Sequence, residues 1–479
     1  MRLPYGFSLL AISLAASCSR PEPEESELED SAAVEARQYA AAMGAHHLCA
    51  GTYVVGRDYR RPPEQIVAED IAPFPDFYWQ KDFEYRVDDE AKLVTVSGPG
   101  IERRSARYLG DQGCVILPPG RTDVFFRPVT VPRLPEDPSN VPWPTGDRDS
   151  HGTFPEVDTE KLEAALDWAM AQPQNTRALV VAYEGKIVGE RYAKGFGPHT
   201  PQISWSAGKS ITAALVGVLA EQGLVKADDP APVPEWRGET DPRAAIRVRD
   251  LLNMSSGLDF VNDGLSGGRS FRKENEHMRI YFDALDVFEH AVNQPAEISP
   301  GTEFRYRNSD PLTLGRIVRQ IIEARGEEYL SFPYRALFNR IGARDYVLET
   351  DPYGNFIMTG YDFGSAMDWT RFGLLHLWDG VWQGERILAE GWTDLVSTPA
   401  PGAHEKQYGG LFWLNRGKAM PDVPEDAYFA AGHMGQHSFI IPSRDVVIVR
   451  LGPSPGHTDD YMNETIRRIL QAISTSMSQ

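Results

Sequence analysis

Apolar and polar residues alternate with a period of two in Phe83-Glu84-Tyr85-Arg86-Val87 and in Lys92-Leu93-Val94-Thr95-Val96, which predicts half-buried strands early in the chain. A helical period follows over residues 161–170. Two mostly apolar runs, 177–183 and 186–192, then flank Glu184-Gly185, the pattern of a hairpin. A second strand pair is predicted near the end, where Ser438-Phe439-Ile440-Ile441 and Val446-Val447-Ile448-Val449 flank Pro442-Ser443-Arg444-Asp445. A last helix is predicted over 460–473. The stretch between the two strand pairs reads as mainly helical. Strands from both ends of a domain can share one antiparallel sheet only if the helical middle packs beside it. The expected fold is therefore α+β, with a sheet lobe, a helical lobe and a cleft between them.

The alternating runs belong to a small accessory module, 37–128. It is followed by prolines at 128, 132, 135, 138, 142 and 144, which block both helix and central strand, so 129–157 reads as a connecting arm. The main domain is expected over 158–475. With 42% hydrophobic and 24% charged residues the composition is that of a globular chain, and no apolar run after the N-terminus approaches the roughly 20 residues of a membrane span. The net charge of −20, with no stripe of Lys and Arg, argues against nucleic acid as a partner.

At the N-terminus, Arg2 and the apolar stretch 7–16 read as a secretory signal over 1–17. Leu14-Ala15-Ala16-Ser17-Cys18 resembles a lipoprotein cleavage box, which would leave Cys18 as an acylated N-terminus and lipid anchor. The expectation is an exported protein, in the periplasm or on the outer membrane as a lipoprotein, with simple cleavage and secretion as the alternative. The acidic, Pro-containing segment 18–36 reads as a tether. In an oxidising compartment Cys49 and Cys114 either form one disulfide or remain two buried thiols. No His/Cys spacing suggests a metal site.

The candidate chemistry begins at Trp205-Ser206-Ala207-Gly208-Lys209. Ile211, Ala214, Leu215, Val218 and Leu219 recur at helical spacing, so Ser206 and Lys209 share a face one turn apart at a helix start. A serine hydroxyl becomes a nucleophile when a neighbour removes its proton, and a lysine does so if burial keeps its amine neutral. Alone, Ser-x-x-Lys is a weak signal. Two further elements follow in order: Tyr306-Arg307-Asn308, and Gly432-His433-Met434-Gly435-Gln436 directly before a predicted strand.

As a set, Ser206/Lys209, Tyr306/Asn308 and His433/Gly435 resemble the motifs of the serine β-lactamase-like superfamily, in the branch of class C β-lactamases, family VIII esterases and 6-aminohexanoate-dimer hydrolases. The stretches 246–258, 366–373 and 408–413 resemble further landmarks of that superfamily. The resemblance spans 158–473. It implies a β-lactamase/transpeptidase-like domain and acyl transfer through a covalent serine ester, with no cofactor. Ser206 would attack a carbonyl, Lys209 would accept its proton, and Tyr306 would relay a proton to the leaving group. Asn308 would bond the substrate or Lys209, Gly435 would let the strand approach the substrate, and the oxyanion would lie between the backbone N–H groups of Ser206 and Gln436.

His433 stands where β-lactamases carry a lysine. Histidine near neutral pH is mostly uncharged, so a β-lactam carboxylate is less well served and a small-molecule ester or linear amide substrate fits better. The region 261–299, with Phe271, Tyr281 and Phe282, is expected to shape the pocket. The other readings are a penicillin-recognising or envelope-binding lipoprotein with little or no turnover, a true β-lactamase, and an accessory module that itself binds envelope or partner. The oligomeric state has no sequence signal.

Overall fold

The computed structural model describes residues 25–71, 81–134, 137–260, 276–456 and 458–474; the signal segment, Cys18 and Phe271 lie outside them. Helix α1, Glu25–Tyr53, lies across a four-stranded antiparallel meander made of β1 (Glu84–Asp88), β2 (Leu93–Ser97), β3 (Arg104–Tyr108) and β4 (Cys114–Leu117). The predicted alternation is realised in β2, where Val94 and Val96 are buried against Ala41, Ala45 and Leu48 of α1. Small side chains on that face of α1 let helix and sheet approach closely. Cys49 and Cys114 form a disulfide that fastens α1 to β4. The expected tether is corrected in part: from residue 25 onward it is the first turns of α1. Its Glu- and Ala-rich composition, which argued against a core, also favours a helix once the prolines at 21 and 23 are passed.

In the main domain, α2 (Thr159–Ala171) precedes the hairpin of β5 (Ala178–Tyr183) and β6 (Lys186–Tyr192), whose Glu184 and Gly185 both take positive φ, +47° and +74°, as a type I′ turn requires. Further along come β10 (Tyr408–Gly409), β11 (Phe412–Leu414), β12 (Tyr428–Gly432), β13 (Gln436–Ile441) and β14 (Val446–Leu451). Together they form one seven-stranded antiparallel sheet, β10-β11-β12-β13-β14-β5-β6. The two ends of the domain meet at β14 and β5, in register from Val446 opposite Tyr183 to Leu451 opposite Ala178. This is the joining of the two predicted strand pairs.

One face of the sheet is covered by α2 and the C-terminal helix α7 (Asp459–Ala472), which bury Leu162, Leu166, Ile466 and Ile469 against Val181 and Ile448. The other face carries α3 (Gly208–Glu221), α5 (Ser309–Ala324) and α6 (Ala366–Leu377), the body of the helical lobe. A three-stranded sheet, β7 (Gln202–Ile203) and β8 (Val347–Leu348) on either side of β9 (Asp362–Gly364), leads into α3. The short helix α4, Glu276–Phe282, is fixed by Tyr281, whose hydroxyl donates to the Thr359 carbonyl. The proline-rich connector is packed rather than loose: Trp143 Nε1 donates to the Gly185 carbonyl at 2.6 Å, and Arg371 Nε to that of Pro144 at 2.8 Å.

Candidate active site

From β7 the chain enters a 3₁₀ turn, Trp205–Ala207, and α3 starts at Gly208. The turn is held at Ser204, whose N–H donates to the Asp362 carbonyl at 2.8 Å and whose Oγ accepts from Trp369 Nε1 at 3.0 Å. Trp205 takes φ +51°, a conformation a bulky residue keeps only when its surroundings enforce it. Its ring lies among His47, Tyr281 and His433. Ser206 follows this strained residue. Gly208 is required for close packing, since a Cβ there would sit 2.0 Å from Asp362 Oδ1.

Lys209 is wholly buried, with Nζ 2.9 Å from Ser206 Oγ and donating to the Thr359 carbonyl at 3.1 Å. Burial pushes its amine down to about 7, against the opposing pull of Asp362. Asp362 is itself buried, and desolvation lifts its carboxyl to about 8. Two groups that would be fully charged in water thus share a site that favours their neutral forms. Tyr306 completes the cluster. Lys209 Nζ lies 4.9 Å from its ring centroid, and its hydroxyl is hydrogen-bonded with Ser206. Burial raises the phenol far enough that it stays protonated at any physiological pH. Tyr408 and Trp413 hold the ring at 5.7 and 5.4 Å.

Asn308, the residue before α5, is fully buried, but the expected bond to Lys209 is not among those observed. Its Nδ2 donates to His277 Nδ1 at 2.8 Å and reaches the Tyr281 hydroxyl at 3.4 Å. Tyr281 in turn donates to the Thr359 carbonyl at 2.6 Å, so Asn308 and Lys209 are linked through a shared acceptor. His277, Thr359 and Asp362 were not anticipated. A backbone carbonyl has no residue signature, and a lone histidine or aspartate reads as surface. Desolvation, with Lys209 and His433 nearby, pushes His277 down to about 3, so it is a neutral hydrogen-bonding partner.

The third motif forms the turn between β12 and β13, with Gly432 paired to Gln436. A Cβ on Gly432 would lie 1.9 Å from the Ser204 carbonyl, so this glycine lets the strand end press on the turn that carries Ser206. Gly435, at φ +82°, instead leaves room for Arg450 Nη1, which would be 2.7 Å from a Cβ. His433 is half-buried, edge-on to Trp205 at 5.7 Å, and pushed down to about 4 by burial. It carries no charge at neutral pH. The Gln436 carboxamide is used inside the protein: it donates to the Gly452 carbonyl at 2.8 Å and accepts from its N–H at 2.9 Å. His437 is buried and bonded to the Gly435 carbonyl at 3.0 Å, a structural role.

The sequence profile described as Beta-lactamase matches residues 168–471. A 6-aminohexanoate-dimer hydrolase of Paenarthrobacter ureafaciens is 26% identical over 297 residues, spanning 58% of this chain and 73% of its own length. Among solved structures, a family VIII carboxylesterase superposes with a TM-score of 0.52 at 16% identity, over 67% of this chain and 98% of that one. A penicillin-binding protein homologue from Caulobacter crescentus does so with a TM-score of 0.52 at 14% identity, over 67% and 99%. At such identities the two structures establish the fold alone. The N-terminal module lies outside the matched profile.

Proposed function

Since the chain belongs to the Beta-lactamase family, we propose that it is a serine hydrolase cleaving an ester or linear amide of a small substrate through an acyl-Ser206 intermediate. The observation that carries this reading is the contact of Lys209 Nζ with Ser206 Oγ at 2.9 Å, with the amine held near neutrality by burial. Ser206 Oγ attacks the substrate carbonyl carbon as its proton passes to Lys209. Tyr306, a protonated phenol in contact with Ser206, gives its proton to the leaving oxygen or nitrogen as that bond breaks and recovers one from the Lys209 ammonium. Water then attacks the acyl carbon, losing its proton along the same route, and the carboxylic acid leaves. The oxyanion lies on the Ser206 N–H and on an N–H of the hairpin that Gly432 presses against Ser204, with Gln436 the expected donor.

The neutral His433 favours uncharged or linear substrates over a β-lactam carboxylate, and the relative that hydrolyses 6-aminohexanoate dimers supports a linear amide as one substrate class. Export, with Cys18 as lipid anchor or removed by cleavage, is supported by the Cys49–Cys114 disulfide, a bond typical of oxidising compartments.

The test is intact-mass analysis of the wild type and Ser206→Ala after a fluorophosphonate probe, paired with p-nitrophenyl butyrate turnover. One adduct and sustained turnover in the wild type, both lost in Ser206→Ala, are expected. A single turnover followed by arrest would favour a penicillin-recognising binding protein, and labelling that persists in Ser206→Ala would remove Ser206 from the mechanism.

A further inference from the structure

The Thr359 carbonyl is the acceptor on which the site converges, taking Lys209 Nζ at 3.1 Å, the Tyr281 hydroxyl at 2.6 Å and Ser206 Oγ at 3.4 Å. Thr359 sits in the tight turn 357–361, where Gly360 N–H and Tyr361 N–H both donate to the Ile357 carbonyl, at 3.1 and 2.9 Å. One residue brackets this turn from outside. The Glu349 N–H donates to the Tyr361 carbonyl, and its own carbonyl accepts from the Ile357 N–H, both at 2.9 Å.

The Glu349 side chain points the other way, into the N-terminal module. Its Oε1 accepts from the Cys114 N–H at 2.7 Å, and its Oε2 is hydrogen-bonded with His46 Nε2; the Glu349 and His46 side chains are both 0% exposed. The module is shaped for this carboxyl, because a Cβ on Gly113 would lie 2.5 Å from Glu349 Cγ. His46 also stacks flat on Tyr361, 3.8 Å between centroids at 16°, and Tyr361 leans on Tyr281 at 5.1 Å. The disulfide joins Cys49, one turn beyond His46, to Cys114, so both module contacts with Glu349 are tied to each other covalently.

We infer that one contact of the N-terminal module serves the site: His46 and the Cys114 N–H, through Glu349, set the position of the Thr359 carbonyl against Lys209 and Tyr281. His46 and Glu349 are positioning residues, since neither touches the reacting atoms. The inference rests on the catalytic reading of Ser206 and Lys209. Desolvation raises Glu349 and lowers His46, so the pair is a neutral hydrogen bond. A glutamine at 349 can therefore reproduce it, with its oxygen accepting from Cys114 and its amide donating to His46.

The experiment compares His46→Ala, Glu349→Ala, Glu349→Gln and Val94→Ala in the full chain. The last truncates a buried strand residue of the module core and serves as a stability control. Melting temperature, kcat and KM for p-nitrophenyl butyrate, and the pH profile of kcat/KM are measured for each. Glu349→Ala and His46→Ala are expected to lower kcat about tenfold or more with KM within about twofold. The acid limb should move up by about half a unit or more, as a loosened turn admits water to Lys209. Glu349→Gln is expected to restore both, and Val94→Ala to lower the melting temperature with kcat and the acid limb kept. Unchanged kcat and acid limb in the two alanine variants would overturn the inference while leaving the hydrolase reading intact, and so would equal losses in Val94→Ala. No Ser206-dependent turnover in the wild type would instead sink the hydrolase reading and this inference with it.

Discussion

Two regions of the molecule bury ionisable groups of the same kinds and move them in opposite directions. In the pocket around Ser206, Lys209 is held down to about 7, His277 to about 3 and His433 to about 4, each chiefly by desolvation. Where the connector meets the helical lobe, burial would likewise lower His199, but hydrogen bonds with Asp147 and Asp345, at 2.7 and 2.8 Å, outweigh it and lift the imidazole to about 10. Asp147 is held down to about 2, since His199 and the fully buried Arg371 outweigh its own desolvation. Burial with a matched counter-charge makes a fastening. Burial without one holds groups in their neutral forms, and for Lys209 that leaves an amine poised to exchange a proton near neutral pH, which is the condition for chemistry.

The sharpest way to break this contrast is to remove the poised amine. Lys209→Ala should lower kcat about a thousandfold or more, the size of effect expected for loss of a general base, with the protein still folded. A loss below about tenfold would move the base elsewhere. The pH profile sharpens the same point. A lysine must be neutral to accept a proton, so kcat/KM in the wild type should climb about tenfold per pH unit below pH 7 and level off above it.

Stability carries the opposite signs for the two regions. Lys209 has a folded value below its ordinary 10.5, so its burial penalty is full below about 7 and fades as pH rises toward 10.5. His199 has a folded value above its ordinary 6.5, so its contribution is full below 6.5 and is lost as pH rises through about 10. Lys209→Met should therefore raise the melting temperature at pH 6 by about 2–4 °C and leave a stability that only declines between pH 7 and 10. A melting temperature that falls at pH 6 would contradict the unpaired burial of the lysine.

The legible parts of this molecule are those where one residue type at a fixed spacing has one physical meaning. Period-two runs read as β1 and β2, apolar runs flanking turn residues read as β5, β6, β13 and β14, and the joining of the terminal strand pairs followed from the need to bury both. Ser206 and Lys209 were legible because three positions along a helix share a face. The illegible parts depend on atoms or neighbours that sequence spacing does not encode. The Thr359 carbonyl is backbone. Glu349 and His46 are separated by most of the chain and look like surface residues until the fold closes over them. Asn308 carries a motif position, yet its partner is decided by where α4 places His277. No part of the helix over 25–53 is announced by the tether and the alternating runs expected there, since its acidic, Ala-rich first turns look like a solvated linker until helix propensity is considered.

At the paired region the expected effect is smaller and purely structural. Asp147→Asn keeps the shape but removes the charge that His199 and Arg371 face, and should cost about 1–3 kcal/mol of stability at pH 6 in a denaturant titration, with kcat within about twofold. His199 would then titrate closer to its ordinary value. A loss of kcat comparable to that of Lys209→Ala would mean that the two regions are coupled and the division into fastening and chemistry is wrong.

The smallest effect is expected from carrying one region's rule into the other. His433→Lys would place a cation at the pocket's edge, on a half-buried site beside Trp205. In the protein alone that charge meets a desolvation weaker than that of the wholly buried Lys209. When a carboxylate-bearing substrate arrives, that cation gains a counter-charge. Turnover of p-nitrophenyl butyrate should change by less than about twofold, while kcat/KM for nitrocefin, which carries a carboxylate, should rise about two- to fivefold at low salt and lose that gain as salt is added. Equal changes for the neutral and the anionic substrate would show that residue 433 acts through packing on Trp205. An anion-specific, salt-sensitive gain would show that it faces the substrate, and that the present histidine keeps the pocket uncharged.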